Sequence, residues 1–218
     1  EKLFQKKKKM IIISNSSRRK ALTIDKLPKL GFSKEYFSEV MTSGEMIWNS
    51  LNSKADLWAK NLGPNCYHLY DRENVDAQNY IKGLNYNFVD NVDKADFILG
   101  CTPFFKSKII DYIPILNTAL KNNIPFICAN PDYETIEPSN KKLIFCIGSV
   151  AELYKDLGGK VIILGKPCVD IYREATKNII NLKKSNIVAI GDSIYHDIKG
   201  AMDFGIDSLL ISSGIHKE

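Results

Sequence analysis

No apolar run in the sequence approaches the roughly 18 residues that cross a bilayer, and no charged-then-apolar leader opens it. These absences point to the cytoplasm. There is no G-x-G-x-x-G turn either, which removes the dinucleotide-binding reading. Cysteine is scarce: five residues, at 66, 101, 128, 146 and 168, with no C-x-x-C spacing. An odd, scattered set makes neither a disulfide framework nor a structural zinc site, so the cysteines read as reduced, buried thiols. Charge of one sign is also thin, at a net +5. Its densest part, lysines 6–9, lacks the interleaved aromatics of a base-stacking surface. Those lysines read as a solvated helix end, where the helix dipole favours cations, and no nucleic-acid partner is expected.

What is present suits a globular α/β protein. The 218 residues are 44% apolar and 25% charged, enough for one large domain or a small domain inserted in another. The chain opens on Glu1 and a charged helical segment with no leading strand, so it reads as a fragment. Residues 10–13 form a short apolar run before the turn formers Ser14, Asn15, Ser16 and Ser17, the pattern of a buried strand. A helix follows with Ala21, Leu22, Ile24 and Leu27 inward, stopped by Gly31. A second is expected after Ser33, with Tyr36, Phe37, Val40 and Met41 on one stripe, and a third over 45–58. After Gly63-Pro64, strand-like runs (66–70, 88–89, 97–99, 125–129) alternate with helices, which predicts a largely parallel sheet. Ser149 and Glu152 read as a capping box. A strand over 161–164, a turn at 165–167, a helix, a buried strand over 187–190, a helix over 198–204 and a last strand over 209–212 complete the pattern.

Three places carry chemistry. The strand at 187–190 delivers Gly191 and Asp192 to its C-terminal end, where ligands of open α/β sheets bind. Asp197 follows five residues later, beside a helix start that favours negative charge. Hard oxygen ligands there suit Mg²⁺ bound together with phosphate; the plainer alternative is a turn residue and an N-cap. Ser14-Asn15 offers a hydroxyl and successive N–H groups leaving a strand, a phosphate-holding arrangement or a simple helix cap. Lys166, in Gly165-Lys166-Pro167, either neutralises phosphate or is an exposed lysine in a turn. Tyr195 and His196 lie between the two aspartates; the histidine reads as solvated.

The order strand-Ser-Asn, a gap of about 150 residues, Gly-Lys-Pro, then strand-Gly-Asp-x4-Asp resembles the haloacid dehalogenase (HAD) superfamily, in particular its class IIA phosphatases. Cys128-Ala129-Asn130-Pro131-Asp132 is similar to that class's cap strand ending in Asn-Pro-Asp. The resemblance implies a HAD-like Rossmannoid parallel-sheet core from residues 1–61 and 159–218, with an inserted α/β cap at 62–158. It implies a Mg²⁺-dependent hydrolase of a small phosphorylated metabolite, with no membrane partner and room for a homodimer through the cap. Ser14 and the N–H of Asn15 would hold the phosphoryl group and Lys166 would neutralise it. Asp192 would bind the metal, Asp197 would support that site or orient Lys166, and Asn130 and Asp132 would approach from the cap. The family's Asp-x-Asp-Gly nucleophile motif is absent, since no D-x-D occurs in the sequence. In the family it ends a central core strand, between those at 10–14 and 187–190. The reading is therefore a core lacking its first, central strand, a truncated and inactive chain, or alternatively a non-catalytic relic that binds a phosphorylated metabolite.

Overall fold

The computed structural model describes residues 1–136 and 142–212. Its strands are β1 (Ile11–Ser14), β2 (Glu39–Thr42), β3 (Asn65–Leu69), β4 (Asn87–Phe88), β5 (Phe97–Gly100), β6 (Phe126–Cys128), β7 (Glu134–Ile136), β8 (Leu143–Phe145), β9 (Val161–Ile163), β10 (Val188–Gly191) and β11 (Asp207–Leu210). The α-helices are α1 (Lys2–Gln5), α2 (Lys20–Lys26), α3 (Ser43–Ser53), α4 (Leu57–Lys60), α5 (Val75–Asn79), α6 (Ile113–Lys121), α7 (Ile147–Asp156), α8 (Val169–Thr176) and α9 (Lys199–Phe204). No helix among the described residues is long and apolar enough to cross a membrane.

Five strands form one parallel sheet in the order β4-β3-β5-β6-β9. Its middle strands, FILG and FIC, are continuous apolar runs buried at every residue, as parallel strands covered on both faces must be. Leu116 and Ala119 of α6 and Ile147, Val150 and Tyr154 of α7 cover one face. Ile47 and Leu51 of α3, with Ala77, Tyr80 and Leu84, cover the other. Each large apolar side chain enclosed this way contributes about 1.5–3 kcal/mol.

The rest of the parallel structure is two separate pairs, β1–β2 and β10–β11, which share no ladder with each other. Helix α8 bridges them: Ile171, Tyr172 and Ala175 pack with Met41 of β2 and Phe204 of α9, and Ile11 and Ile13 of β1 join from the side. The architecture is thus the expected α/β one, a parallel-sheet core with a second α/β unit inserted in it. Helix α3 covers the five-stranded sheet, and β9 is that sheet's edge strand.

Two local expectations are corrected. Val40 and Met41 lie on β2, not on a helix, because pairing in register with Ile12 and Ile13 overrides the helical spacing. Ser149 caps nothing: α7 begins two residues earlier, at Ile147, and the Ser149 hydroxyl donates to the Tyr133 carbonyl at 2.6 Å. The hairpin β7–β8 carried no sequence signal and is the molecule's one antiparallel pair among the described residues.

Candidate active site

β1 ends at Ser14, and the chain turns at once. The Ser14 hydroxyl accepts from the Ser16 N–H at 3.2 Å and keeps its own hydrogen to donate. The turn is pinned from behind. Gly44 donates its N–H to the Ser16 carbonyl at 3.0 Å, and a Cβ there would lie 2.0 Å from the Ser17 carbonyl oxygen, so only glycine fits. Thr42 caps α3, accepting from the Glu45 N–H at 2.9 Å while donating to the Arg18 carbonyl at 2.6 Å. The buried Glu45 carboxylate accepts from Arg19 at 2.7 and 3.2 Å and from the Lys20 N–H at 3.0 Å. Burial works to raise its pKa, but those donors outweigh it and hold the carboxyl below its ordinary value. Arg19 also lies over the Trp48 ring, 3.6 Å from its centroid.

Asn15, 3% exposed, joins two distant parts of the sequence. Its Oδ1 accepts from the Lys166 N–H at 2.7 Å, and its Nδ2 donates to the Lys166 carbonyl at 3.2 Å and to Asp132 Oδ1 at 2.8 Å. A buried amide this well satisfied fixes whatever it holds. Gly165 is the required neighbour, since a Cβ there would meet Asn15 Oδ1 and Pro131 Cγ, each at 2.7 Å.

Lys166 reaches from this strut to Asp197, with Nζ 2.6 Å from Oδ1 and both side chains largely buried. The other oxygen of Asp197 accepts from the Ser193 N–H at 3.1 Å. The carboxylate lies against Gly191, where a Cβ would stand 2.2 Å from Asp197 Cγ. That explains the Gly-Asp pairing: the glycine makes space for Asp197, and the half-buried Asp192 follows it at the end of β10. Asp197 sits in a π-helical turn, Ile194–Ile198, that leads into α9. His196 is buried rather than solvated, with Nδ1 3.0 Å from Ser193 Oγ and 3.9 Å from Asp132 Oδ1. Burial pushes its pKa down, against the pull of the Asp132 charge. Tyr195 points outward and is exposed.

All seven residues singled out from sequence therefore lie at strand ends: Ser14 closing β1 and Asn15 after it, Asn130 and Asp132 after β6, Lys166 after β9, Asp192 and Asp197 after β10, and hydrogen bonds join Asn15, Asp132, Lys166 and Asp197. Asn130 instead folds back, accepting from the Asp132 N–H at 3.0 Å, and lines the adjacent cleft. That cleft, about 930 Å³, runs from Ser16, Ser17 and Arg18 to Asp71, Thr102 and Lys106. The last three were not anticipated. A signal did exist: Asp71 and Thr102 follow the C-terminal ends of parallel strands β3 and β5, where such sheets bind ligands.

Residues 163–218 match the family model described as HAD-hydrolase-like. A solved hydrolase of the haloacid dehalogenase-like family from Brucella suis 1330 superimposes with a TM-score of 0.84 at 29% identity, covering 97% of this chain and 79% of that one. The C-terminal quarter of the chain is thus similar to the HAD-like model, and nearly the whole chain shares the fold of a HAD-like hydrolase. A relative, the dihydroxyacetone phosphatase of Corynebacterium glutamicum (strain R), is 35% identical over 91 residues. That match spans 41% of this chain and 32% of the relative's length. The fold is shared with a glycerol phosphate phosphatase from Mycobacterium tuberculosis, solved in complex with calcium, at a TM-score of 0.66 and 20% identity over 98% of this chain and 60% of that one.

Proposed function

We propose that this chain is the greater part of a hydrolase of small phosphate monoesters, with Ser14, the Asn15 N–H and Lys166 receiving the phosphoryl group. The observation that carries the reading is the largely buried Lys166–Asp197 pair, held beside Ser14 by the Asn15 amide. A cation, a free hydroxyl hydrogen and a backbone turn at converging strand ends are what a phosphate dianion needs. The names of the relatives, dihydroxyacetone phosphatase and glycerol phosphate phosphatase, support a short phosphorylated metabolite as substrate.

Asp192 is the residue placed to meet Mg²⁺. Among the described residues, however, no group of three His, Cys, Asp or Glu side chains could hold a metal, and Asp197 is committed to Lys166. Mg²⁺ needs near-octahedral oxygen ligation, and the carboxylates present do not make that site by themselves. The nucleophile has the same gap. In this reading both carboxylates arrive on an extended segment seated between β1 and β10. The absence of a ladder between the two pairs supports such a slot, as do Val188 and Ile190 on β10, 56% and 57% exposed. The 218-residue chain alone then binds phosphate without turnover. The incomplete carboxylate set equally favours a second reading, a binding protein for a phosphorylated metabolite that never turns it over.

Titration with orthophosphate followed by phosphorus NMR tests the shared part. The chain should bind orthophosphate, and Lys166→Met should weaken that binding at least about tenfold, the loss of one charge-assisted contact. Equal binding by the two would remove Lys166 from the site.

A further inference from the structure

Asp132 is not explained by the turn it belongs to. That turn is closed by the Asn130 side chain, which accepts from the Asp132 N–H, so the Asp132 carboxylate takes no part in it. The carboxylate instead points out of the five-stranded unit. One oxygen takes the remaining Nδ2 hydrogen of Asn15 at 2.8 Å and lies 3.9 Å from His196 Nδ1. Asn15 spends its other bonds on the N–H and carbonyl of Lys166.

The backbone under Asp132 is rigidly mounted. Gly148, in the first turn of α7, lies so close that a Cβ would stand 2.3 Å from the Asp132 carbonyl oxygen and 2.4 Å from that of Pro131. The next carbonyl, of Tyr133, accepts both the Cys146 N–H at 2.7 Å and the Ser149 hydroxyl at 2.6 Å. Pro131 in turn packs where Gly165 leaves no room for a side chain.

We propose that Asp132 is a positioning residue: it ties the Asn15–Lys166 strut to the five-stranded unit, so that the seating of that unit sets the lysine. Its partner is Asn15, not the substrate. A charge-assisted bond to a buried amide is among the stronger polar contacts a protein makes, and losing it frees the Asn15 amide to swing away from Lys166. The proposal gives the phosphate-ester reading a means of coupling cleft closure to lysine placement, and it rests on that reading only for this consequence.

The test needs no ligand, so its failure is distinguishable from failure of the phosphate reading. Amide hydrogen exchange is followed at Lys166 and, as an internal reference, at Ile127 of β6. Asp132→Ala should speed exchange at Lys166 about tenfold, the equivalent of one such bond, and leave Ile127 unchanged. Asp132→Asn keeps an acceptor for Asn15 Nδ2 and should stay within about threefold of the parent at Lys166. Equal exchange at Lys166 in Asp132→Ala and parent overturns the proposal. So does an Asp132→Asn as fast as Asp132→Ala, because the charge rather than the Asn15 bond would then matter. A rise at Ile127 matching that at Lys166 also overturns it, since the residue would then be supporting the fold at large.

Discussion

Strands β5 and β10 have similar sequences, FILG and VAIG, and opposite surroundings. Phe97, Ile98 and Leu99 are fully buried, while Val188 and Ile190 are more than half exposed. The difference is not in the residues. β5 has a hydrogen-bonded neighbour on each side and a helical layer on each face, whereas β10 has one neighbour among the described residues, β11, whose four residues are all exposed. An apolar strand is a request for neighbours, and half of this molecule meets it. The residues proposed for the site belong largely to the other half: Ser14 and Asn15 at the end of β1, Asp192 and Asp197 beyond β10. What holds them is polar, the Asn15 amide and the Lys166–Asp197 pair, rather than a continuous sheet.

The comparison breaks most easily at Phe97. Phe97→Ala in the covered sheet should cost about 3–5 kcal/mol in urea unfolding, through lost burial and a residual cavity. A smaller loss than from Ile190→Ala would reverse the contrast. Next is the polar strut. Asp197→Ala strands the Lys166 charge and should cost about 2–3 kcal/mol. Asp203→Ala removes a partner from the exposed Lys199–Asp203 pair and should cost under about 0.5 kcal/mol.

The covered sheet also predicts a pH dependence. His68 on β3 has both ring nitrogens buried and without a hydrogen-bond partner, and burial lowers its pKa to about 4 from an ordinary 6.5. The unfolded chain therefore takes up this proton first. The contribution is fully present above pH 6.5 and is lost as pH falls from 6.5 through about 4. Its size is roughly 1–3 kcal/mol. Stability measured against pH should lose this slope in His68→Phe, and a slope unchanged by that substitution would mean that His68 is accessible to protons in the folded state. The smallest effect belongs to the open pair: Val188→Thr should stay within about 0.5 kcal/mol of the parent, and a loss above about 1.5 kcal/mol would mean that β10 is covered after all.

Much of this was legible. Gly-Asp after an apolar run marked the end of β10, and the Ser-Asn and Gly-Lys-Pro turns marked the other two corners, because strand ends and turn formers are local signals. Their meeting was legible only through the order of the motifs. Spacing cannot show that Asn15 spans to residue 166, since that bond depends on how α8 seats β1 against β10. Val40 and Met41 misled because four apolar residues over a few positions fit a helix stripe as well as a strand, and only the partner strand decides. His196 misled because exposure is a tertiary property: the ring is buried by Asp132 and Tyr133 from a segment over sixty residues earlier in the chain. Nothing local marks Asp132 as a partner of Asn15.

The central claim is the proposal that Ser14, Asn15 and Lys166 form a phosphate-binding corner and that the carboxylates present do not suffice for turnover. Release of inorganic phosphate from dihydroxyacetone phosphate and glycerol phosphate, with Mg²⁺ present, tests it most directly. The 218-residue chain is compared with a form carrying an apolar strand that ends in Asp-x-Asp-Gly fused ahead of Glu1. The account predicts no turnover by the chain alone, turnover by the fused form, and its loss on Lys166→Met or Asp192→Asn. Turnover by the chain alone that survives Asp192→Asn would contradict it.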